Sequence, residues 1–258
     1  MVKFSANLSL LFTEVPLIER FKRAAASGFS AVEIQFPYEL SIDEIKHQLE
    51  VNQLTLDLIN MPAGDWSAGD RGIACDPSRQ DEFKEAVRQS LQYAQMLGCK
   101  QINCLSGIVP KTLSPEFALA TLKGNLRYAN DELAKHQVCL NIEAINTTDV
   151  PGFMLHHSHQ VVNLIKELGL NNTYLQFDVY HMEIMEGHLI DSLHSLLPYI
   201  GHIQIADVPG RHQPGTGQIN FHCLFKELGL LGYTGRIALE FNPLGNTEAS
   251  LDWMNAYL

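Results

Sequence analysis

The sequence is short of basic residues. Its 18 Lys and Arg stand against 29 Asp and Glu, for a net charge of −11 over 258 residues. That balance argues against a nucleic-acid ligand, because neutralising phosphates needs clustered Lys and Arg. A small anion held by one or two local cations is not excluded. A disulfide framework is lacking too. The five cysteines, Cys75, Cys99, Cys104, Cys139 and Cys223, are odd in number and show no C-x-x-C spacing, so a reducing, cytoplasmic setting is expected. No apolar run approaches the roughly 20 residues of a membrane span. The N-terminal stretch M-V-K-F-S-A-N-L-S-L-L-F-T-E has neither a long apolar core nor an A-x-A cleavage site. No Gly-rich phosphate loop follows the first strand candidate, which disfavours an open doubly wound sheet.

What is present is apolar and regular. Hydrophobic residues make up 46% and charged residues 18%, enough for a large core. Strand candidates fall at Phe4–Asn7, Ala31–Gln35, Leu54–Asn60, Lys100–Leu105, Cys139–Asn146, Tyr174–Asp178, Ile200–Ile205 and Arg236–Glu240. Helical patterns fill the gaps: Val15–Ser27, Ser41–Asn52, Asp81–Leu97, Ser114–Lys135, Ser158–Leu168, Gly187–Leu197, Phe221–Leu228 and Thr247–Tyr257. Ser41 with Glu44 reads as a capping box, and Pro115 as a first helical residue. Gly28, Gly98, Gly169 and Gly229 each stand where a left-handed helix stop is wanted. Nearly wholly apolar strands alternating with helices indicate a parallel sheet covered on both faces. The expectation is an α/β protein, one (β/α)8 TIM barrel occupying residues 1–258 as a single domain.

Active sites of such barrels form at the carboxyl ends of the strands. Those ends are Asn7, Gln35, Asn60, Cys104, Glu143, Asp178, Gln204 and Glu240. Three carboxylates on one rim would repel one another and resist desolvation; a divalent cation resolves the conflict. Glu143, Asp178, Gln204 and Glu240 form a hard-oxygen ligand set, suited to Mg2+ or Mn2+ better than to zinc. Taken singly, Asp178 could equally be a strand-end cap for the next helix. His181 lies three residues beyond Asp178, on a loop over the rim, and Arg211 follows the Gln204 strand as a natural partner for a carboxylate or alkoxide. The long loop Met61–Gln80, with Trp66 and Arg71 among glycines, reads as a lid. His156, His157 and His159 lack zinc spacing and read as solvent or capping residues.

These residues resemble a family. Asn-Ile-Glu143-Ala-Ile-Asn146 with Pro151-Gly152, Phe177-Asp178-Val-Tyr-His181, His202-Ile-Gln204-Ile-Ala-Asp207, Arg211 with Pro-Gly-Thr-Gly217, and Leu-Glu240-Phe-Asn-Pro243 are similar to hydroxypyruvate isomerase. That family belongs to the xylose-isomerase-like TIM barrel superfamily, with 2-oxotetronate isomerase as a close relative. The similarity runs over essentially the whole chain. It implies a metal on Glu143, Asp178, Gln204 and Glu240, an acid/base pair of Glu143 and Glu240, and substrate contacts from His181 and Arg211. It also implies Lys where this chain has Asn242, and many superfamily members have His in place of Gln204.

The implied reaction interconverts hydroxypyruvate and tartronate semialdehyde through a cis-enediolate. Its hard step is removal of a proton alpha to a carbonyl. Arg211 or the lid's Arg71 would take the substrate carboxylate. Asn7, Asp149 and Asn146 are further candidates for substrate contact. The partner is therefore a small hydroxy-carbonyl acid, with no nucleic acid and no membrane, and with room for a homo-oligomer. Three other readings stand beside it: a 2-oxotetronate, sugar or sugar-acid isomerase or epimerase; a metal-dependent phosphodiesterase or DNA-repair nuclease, which would want a His-rich multi-metal site and a basic face; and a non-catalytic sugar-acid-binding protein.

Overall fold

Eight parallel strands pair in chain order and close on themselves: β1 (Phe4–Asn7), β2 (Ala31–Ile34), β3 (Thr55–Asn60), β4 (Gln101–Cys104), β5 (Cys139–Glu143), β6 (Thr173–Asp178), β7 (Ile200–Ile205) and β8 (Ile237–Leu239). The computed structural model describes residues 2–257; Met1 and Leu258, the end positions of the expected 1–258 span, lie outside the described residues. Closure is direct, with Ser5 of β1 in register with Ala238 of β8. The barrel is the (β/α)8 TIM barrel expected from the pattern.

The helices are α1 (Leu17–Ala26), α2 (Ile42–Val51), α3 (Gln80–Leu97), α4 (Pro115–Ala134), α5 (Ser158–Leu168), α6 (Val179–Met185), α7 (Leu189–Leu196) and α8 (Phe221–Leu230). Local chemistry sets their ends. Ser41 and Glu44 form the full capping box of α2, a feature worth about 1 kcal/mol. Ser114 accepts from the Phe117 amide at 3.3 Å, with Pro115 at the first helical position of α4. Gly28, Gly98 and Gly169 take the expected left-handed backbone, at φ 89°, 71° and 63°.

Three expectations are corrected. Gly229 sits inside the last turn of α8, and Gly232 (φ 76°) makes the left-handed turn instead. Residues 179–185 form a short helix, where a loop over the rim was expected for His181. The C-terminal segment Ala249–Ala256 is a 3-10 helix, not an α-helix; Ser250 turns its hydroxyl back onto the Thr247 carbonyl at 2.7 Å, a local bond that competes with α-helical pairing.

The apolar core lies between barrel and helices. Phe4 of β1, for example, packs edge-on against Phe225 of α8 and against Trp253. The barrel's interior is different. Side chains alternate along a strand, and the inward positions of β5, β6 and β7 are Asn141 and Glu143, Gln176 and Asp178, His202 and Gln204, all buried. A polar column fills the barrel, where the sequence had suggested nearly apolar strands.

Candidate active site and metal centre

The rim is built by strand ends. Glu143 ends β5, Asp178 ends β6, Gln204 lies near the end of β7, and Glu240 follows β8 directly. All four are 4% exposed or less, so their charges and dipoles act on each other rather than on bulk water.

Asp178 does two things. Its Oδ1 accepts from the Tyr180 amide at 2.8 Å and caps α6. Its Oδ2 faces the site, 3.2 Å from Arg211 Nη2 and 3.5 Å from His181 Nε2. The capping and site readings of this residue are therefore compatible.

Arg211 is the cation among the carboxylates. Its Nη2 lies 2.7 Å from Glu240 Oε2 as well as close to Asp178, and its guanidinium stands 5.1 Å from the Tyr180 ring centroid. Its Nε is buried and has no hydrogen-bond partner among the described residues. Asp207 holds the loop that presents it, accepting from the amides of Val208, Gly215, Gly217 and Ile219. Gly217 is required in that cradle, since a Cβ there would lie 2.1 Å from the Val208 carbonyl oxygen. Asn242, where the resemblance led to Lys, has an exposed side chain and braces this loop through its backbone, its N–H donating to the Arg211 carbonyl at 2.7 Å.

Glu143 Oε2 accepts from Asn103 (2.9 Å) and Gln176 (3.1 Å). Burial, then the charges of Glu240 and Asp178, hold its pKa well above the usual carboxylate range against the pull of Arg211. Burial likewise pushes Glu240 up to about 8, Arg211 opposing and Asp178 adding to the rise. Asp178 is raised by burial, with Arg211 again opposing. For Arg211, burial works against the charge, but Glu240, Asp178 and Glu143 outweigh it and keep the guanidinium firmly protonated.

His181 is buried, and burial followed by the nearby Arg211 lowers its pKa well below the usual value, so the ring is neutral. Asp149 and Asn146 set its tautomer. Asp149 Oδ2 accepts from Asn146 Nδ2 at 2.9 Å and from the Tyr180 hydroxyl at 2.8 Å. The Asn146 amide is thereby turned so that the same nitrogen donates to His181 Nδ1 at 2.7 Å. With Nδ1 accepting, Nε2 carries the hydrogen. That N–H faces Glu143 Oε1 and Asp178 Oδ2, 3.7 Å and 3.5 Å away.

The remaining sequence candidates are placed as follows. Asn7 donates to Glu240 Oε1 (3.0 Å) and to Glu33 Oε1 (2.7 Å), so it braces the rim. Asp149 reaches His181 indirectly, through Asn146 and through Tyr180, whose ring packs edge-on to the imidazole at 5.3 Å. Gln204 donates to Glu33 at 2.7 Å, and its carbonyl oxygen accepts from Gln176 at 2.6 Å. Arg71 stacks 4.0 Å over Trp66 and donates to the Trp66 and Asp70 carbonyls, all within the loop 61–80. Trp66 in turn packs on Phe36, past the end of β2, at 5.1 Å. Glu33, Asn103, Gln176 and Tyr180 were not singled out from the sequence, and Gln35 was named only as a strand end. Gln35 donates to Glu240 Oε1 at 2.6 Å. The period-2 polar positions in L-N-I-E and L-Q-F-D were the available signal for Asn141 and Gln176.

A cation suits this donor set. Glu143, Asp178 and Glu240 are three buried carboxylates beside one guanidinium, and Gln176 Nε2 bridges Glu143 to the Gln204 amide oxygen. Ligand-type atoms of Glu143, Asp178 and His181 lie within 4.8 Å of one another. The protonated Nε2 of His181 has no free lone pair, so the donor atoms of that group are the carboxylate oxygens of Glu143 and Asp178. A second group, His157, His159 and Glu186, is equally close. There the Glu186 carboxylate accepts from the Ser158 amide and hydroxyl at 2.6–2.9 Å, anchoring the start of α5.

The family model described as xylose isomerase-like TIM barrel matches residues 21–257. A hydroxypyruvate isomerase from Escherichia coli (strain K12) is 48% identical over 257 residues, 100% of each chain. A 2-oxo-tetronate isomerase from Cupriavidus necator is 40% identical over 258 residues, covering 100% of this chain and 99% of its own. A crystal structure described as AP endonuclease, family 2 from Brucella melitensis superposes with a TM-score of 0.97 at 41% identity, over 100% of this chain and 99% of that one.

Proposed function

The chain belongs to the hydroxypyruvate isomerase family of xylose isomerase-like TIM barrels, and from that premise we propose that it interconverts hydroxypyruvate and tartronate semialdehyde. The observation that carries this reading is the pairing of two buried glutamates, Glu143 and Glu240, with the guanidinium of Arg211 at one rim. A binding protein has no use for two carboxylates held at raised pKa. A proton-transfer enzyme does, because a base poised near the working pH both takes and returns a proton.

In this reading Glu143, Asp178, Gln204 and Glu240 would hold the metal, Mg2+ or Mn2+ by donor type. When bound, the cation supplies Lewis-acid polarisation of the substrate's neighbouring hydroxyl and carbonyl oxygens. The protein's own groups do the rest. One glutamate takes the proton from the hydroxymethyl carbon, giving a cis-enediolate, and a proton returns to the adjacent carbon. The hydroxyl proton passes between the two oxygens, so product and substrate have the same atoms. His181 offers its Nε2–H to the oxygen where negative charge grows. Arg211, whose Nε has no partner among the described residues, would take the substrate carboxylate. The lid, with Arg71 and Trp66 over Phe36, excludes water from the enediolate.

The runner-up substrate is a 2-oxotetronate, which presents the same hydroxy-carbonyl acid with one more carbon and is favoured by the 40% identity to a 2-oxo-tetronate isomerase. A nuclease, as the description of the Brucella structure raises, would need a basic face, and this chain carries −11. The cytoplasm suits the reading: all five cysteines are free, and no described helix is long and apolar enough to cross a membrane. The test is turnover of hydroxypyruvate against a 2-oxotetronate, with and without a chelator. Metal-dependent turnover with a preference for hydroxypyruvate is expected; absence of turnover on both, with metal bound, would sink the proposal.

A further inference from the structure

One buried carboxylate of the barrel is used by neither the metal nor the proton-transfer reading. Glu33 of β2 has no exposed surface. Its Oε1 accepts from Asn7 Nδ2 and from Gln204 Nε2, each at 2.7 Å, and its Oε2 accepts from His202 Nε2, also at 2.7 Å. These partners come from β1 and from β7, so the β7 contacts cross the barrel.

The chemistry of the partner fixes the direction of each amide. Both Glu33 oxygens act as acceptors here, Oε1 for two donors and Oε2 for one. Gln204 must therefore turn its NH2 to Glu33, and its carbonyl oxygen is forced to the other side. There it meets Gln176 Nε2 at 2.6 Å, the same nitrogen that lies 3.1 Å from Glu143 Oε2. One nitrogen of Gln176 thus links the Gln204 oxygen to the carboxylate that ends β5. Asn7 is oriented by the same rule, and its Nδ2 reaches Glu240 Oε1 at 3.0 Å. An amide in place of Glu33 would impose no direction, because it can offer either an oxygen or an NH2.

We propose that Glu33, held by His202, is a positioning residue that sets the direction of the Gln204 amide, so that this side chain presents oxygen rather than nitrogen to a divalent cation. The inference rests on the metal reading given above. A ligand glutamine is weak unless its amide is locked, since flipping it costs little in shape and replaces a donor oxygen with an NH2. Partners that orient ligands in this way commonly govern metal affinity by about 10- to 100-fold.

The test uses the full chain, stripped with a chelator and titrated with Mn2+ while free Mn2+ is followed by its electron paramagnetic resonance signal. Glu33→Gln is expected to raise the Mn2+ Kd by about 10- to 100-fold. Adding Gln204→Glu to that variant is expected to bring the Kd back to within a few-fold of the parent. A carboxylate has oxygen on both sides, and the amide introduced at position 33 can donate to it. The pair conserves charge and reverses one hydrogen bond, so a merely structural defect at Glu33 would not be repaired. Should E33Q not fold, as read by circular dichroism, Glu33→Asp carries the test. It keeps the charge, withdraws the carboxylate by one methylene, and is expected to weaken Mn2+ several-fold. A parental Kd in E33Q (or in E33D, where that variant is used), or a double variant as weak as E33Q, would overturn the proposal. A parent that binds no Mn2+ would remove the metal reading and this inference together. Because Kd is read without substrate, failure of the isomerase reading appears in turnover alone.

Discussion

Asn146 Nδ2 lies 2.7 Å from His181 Nδ1, and that contact decides what His181 can do. It leaves the hydrogen on Nε2, so the ring enters the site as a donor and not as a ligand. Asn146→Ala removes the constraint while leaving every carboxylate in place. The expected result is a fall in kcat on the order of 10²-fold, the range for a lost proton-handling or oxyanion contact, with Mn2+ affinity within a few-fold of the parent. A collapse of Mn2+ binding instead would mean that His181 ligates the metal.

Glu143 and Glu240 are assigned the proton. Glu143→Gln and Glu240→Gln each keep an oxygen for the cation but cannot act as a base. Each is expected to lose about 10²- to 10⁴-fold in kcat at saturating metal. Solvent deuterium should stop entering recovered substrate in the variant that lacks the abstracting base. Full turnover in either variant, with metal shown to be bound, would remove that residue from the proton path.

Arg211 contacts Glu240 and Asp178 through Nη2 and keeps a buried Nε without a partner among the described residues. If that Nε–H serves the substrate carboxylate, Arg211→Lys loses a charge-assisted bond worth about 1.5–3 kcal/mol, or roughly 10- to 150-fold in KM. The Lys variant still places a cation beside Glu240. The loss should therefore be confined to acid substrates, and a neutral ketose tried in parallel should be handled no worse than by the parent. Equal losses on both would assign Arg211 to the carboxylates alone.

The barrel was legible from strand-helix alternation, because helix stops such as Gly98 and boxes such as Ser41 with Glu44 are local devices that the sequence writes out in a few residues. The rim carboxylates were legible for a similar reason: each ends or directly follows an apolar run. What stayed hidden depends on closure. Glu33 and His202 are 169 residues apart and meet only because β2 and β7 face each other across the barrel. Gln176 and Asn103 stand in apolar strands where sequence alone assigns them no role; inside a closed barrel they become the donors that hold Glu143. The helix Val179–Met185 was expected as a loop although Asp178 had been weighed as a cap, because seven residues are too few to show a repeating apolar face. The left-handed stop after α8 shifted to Gly232 since the helix continues through Gly229 to Leu230.

The metal-free protein should lose stability as the pH rises, and Glu240 supplies the sign. Burial lifts this carboxyl from an ordinary 4.5 to about 8 in the folded chain. A raised folded-state pKa favours the protonated form, so its contribution is full below about pH 4.5 and is lost as pH climbs through about 8. Glu143 is shifted in the same direction by burial and by Glu240. Chelator-stripped protein is therefore expected to show a falling Tm between about pH 5 and about pH 9, and Glu240→Gln, which cannot ionise there, should fall less steeply. A bound cation needs the ionised carboxylates, so metal uptake releases protons and tightens as pH rises. The Tm gain from saturating Mn2+ should accordingly be larger near pH 8 than near pH 6. Calorimetric scans of parent and E240Q, each with and without Mn2+, read all four slopes. Parallel Tm–pH curves for the two metal-free proteins would mean that Glu240 ionises in the folded chain at no cost, and the crowding of carboxylates that calls for a cation would lose its energetic basis.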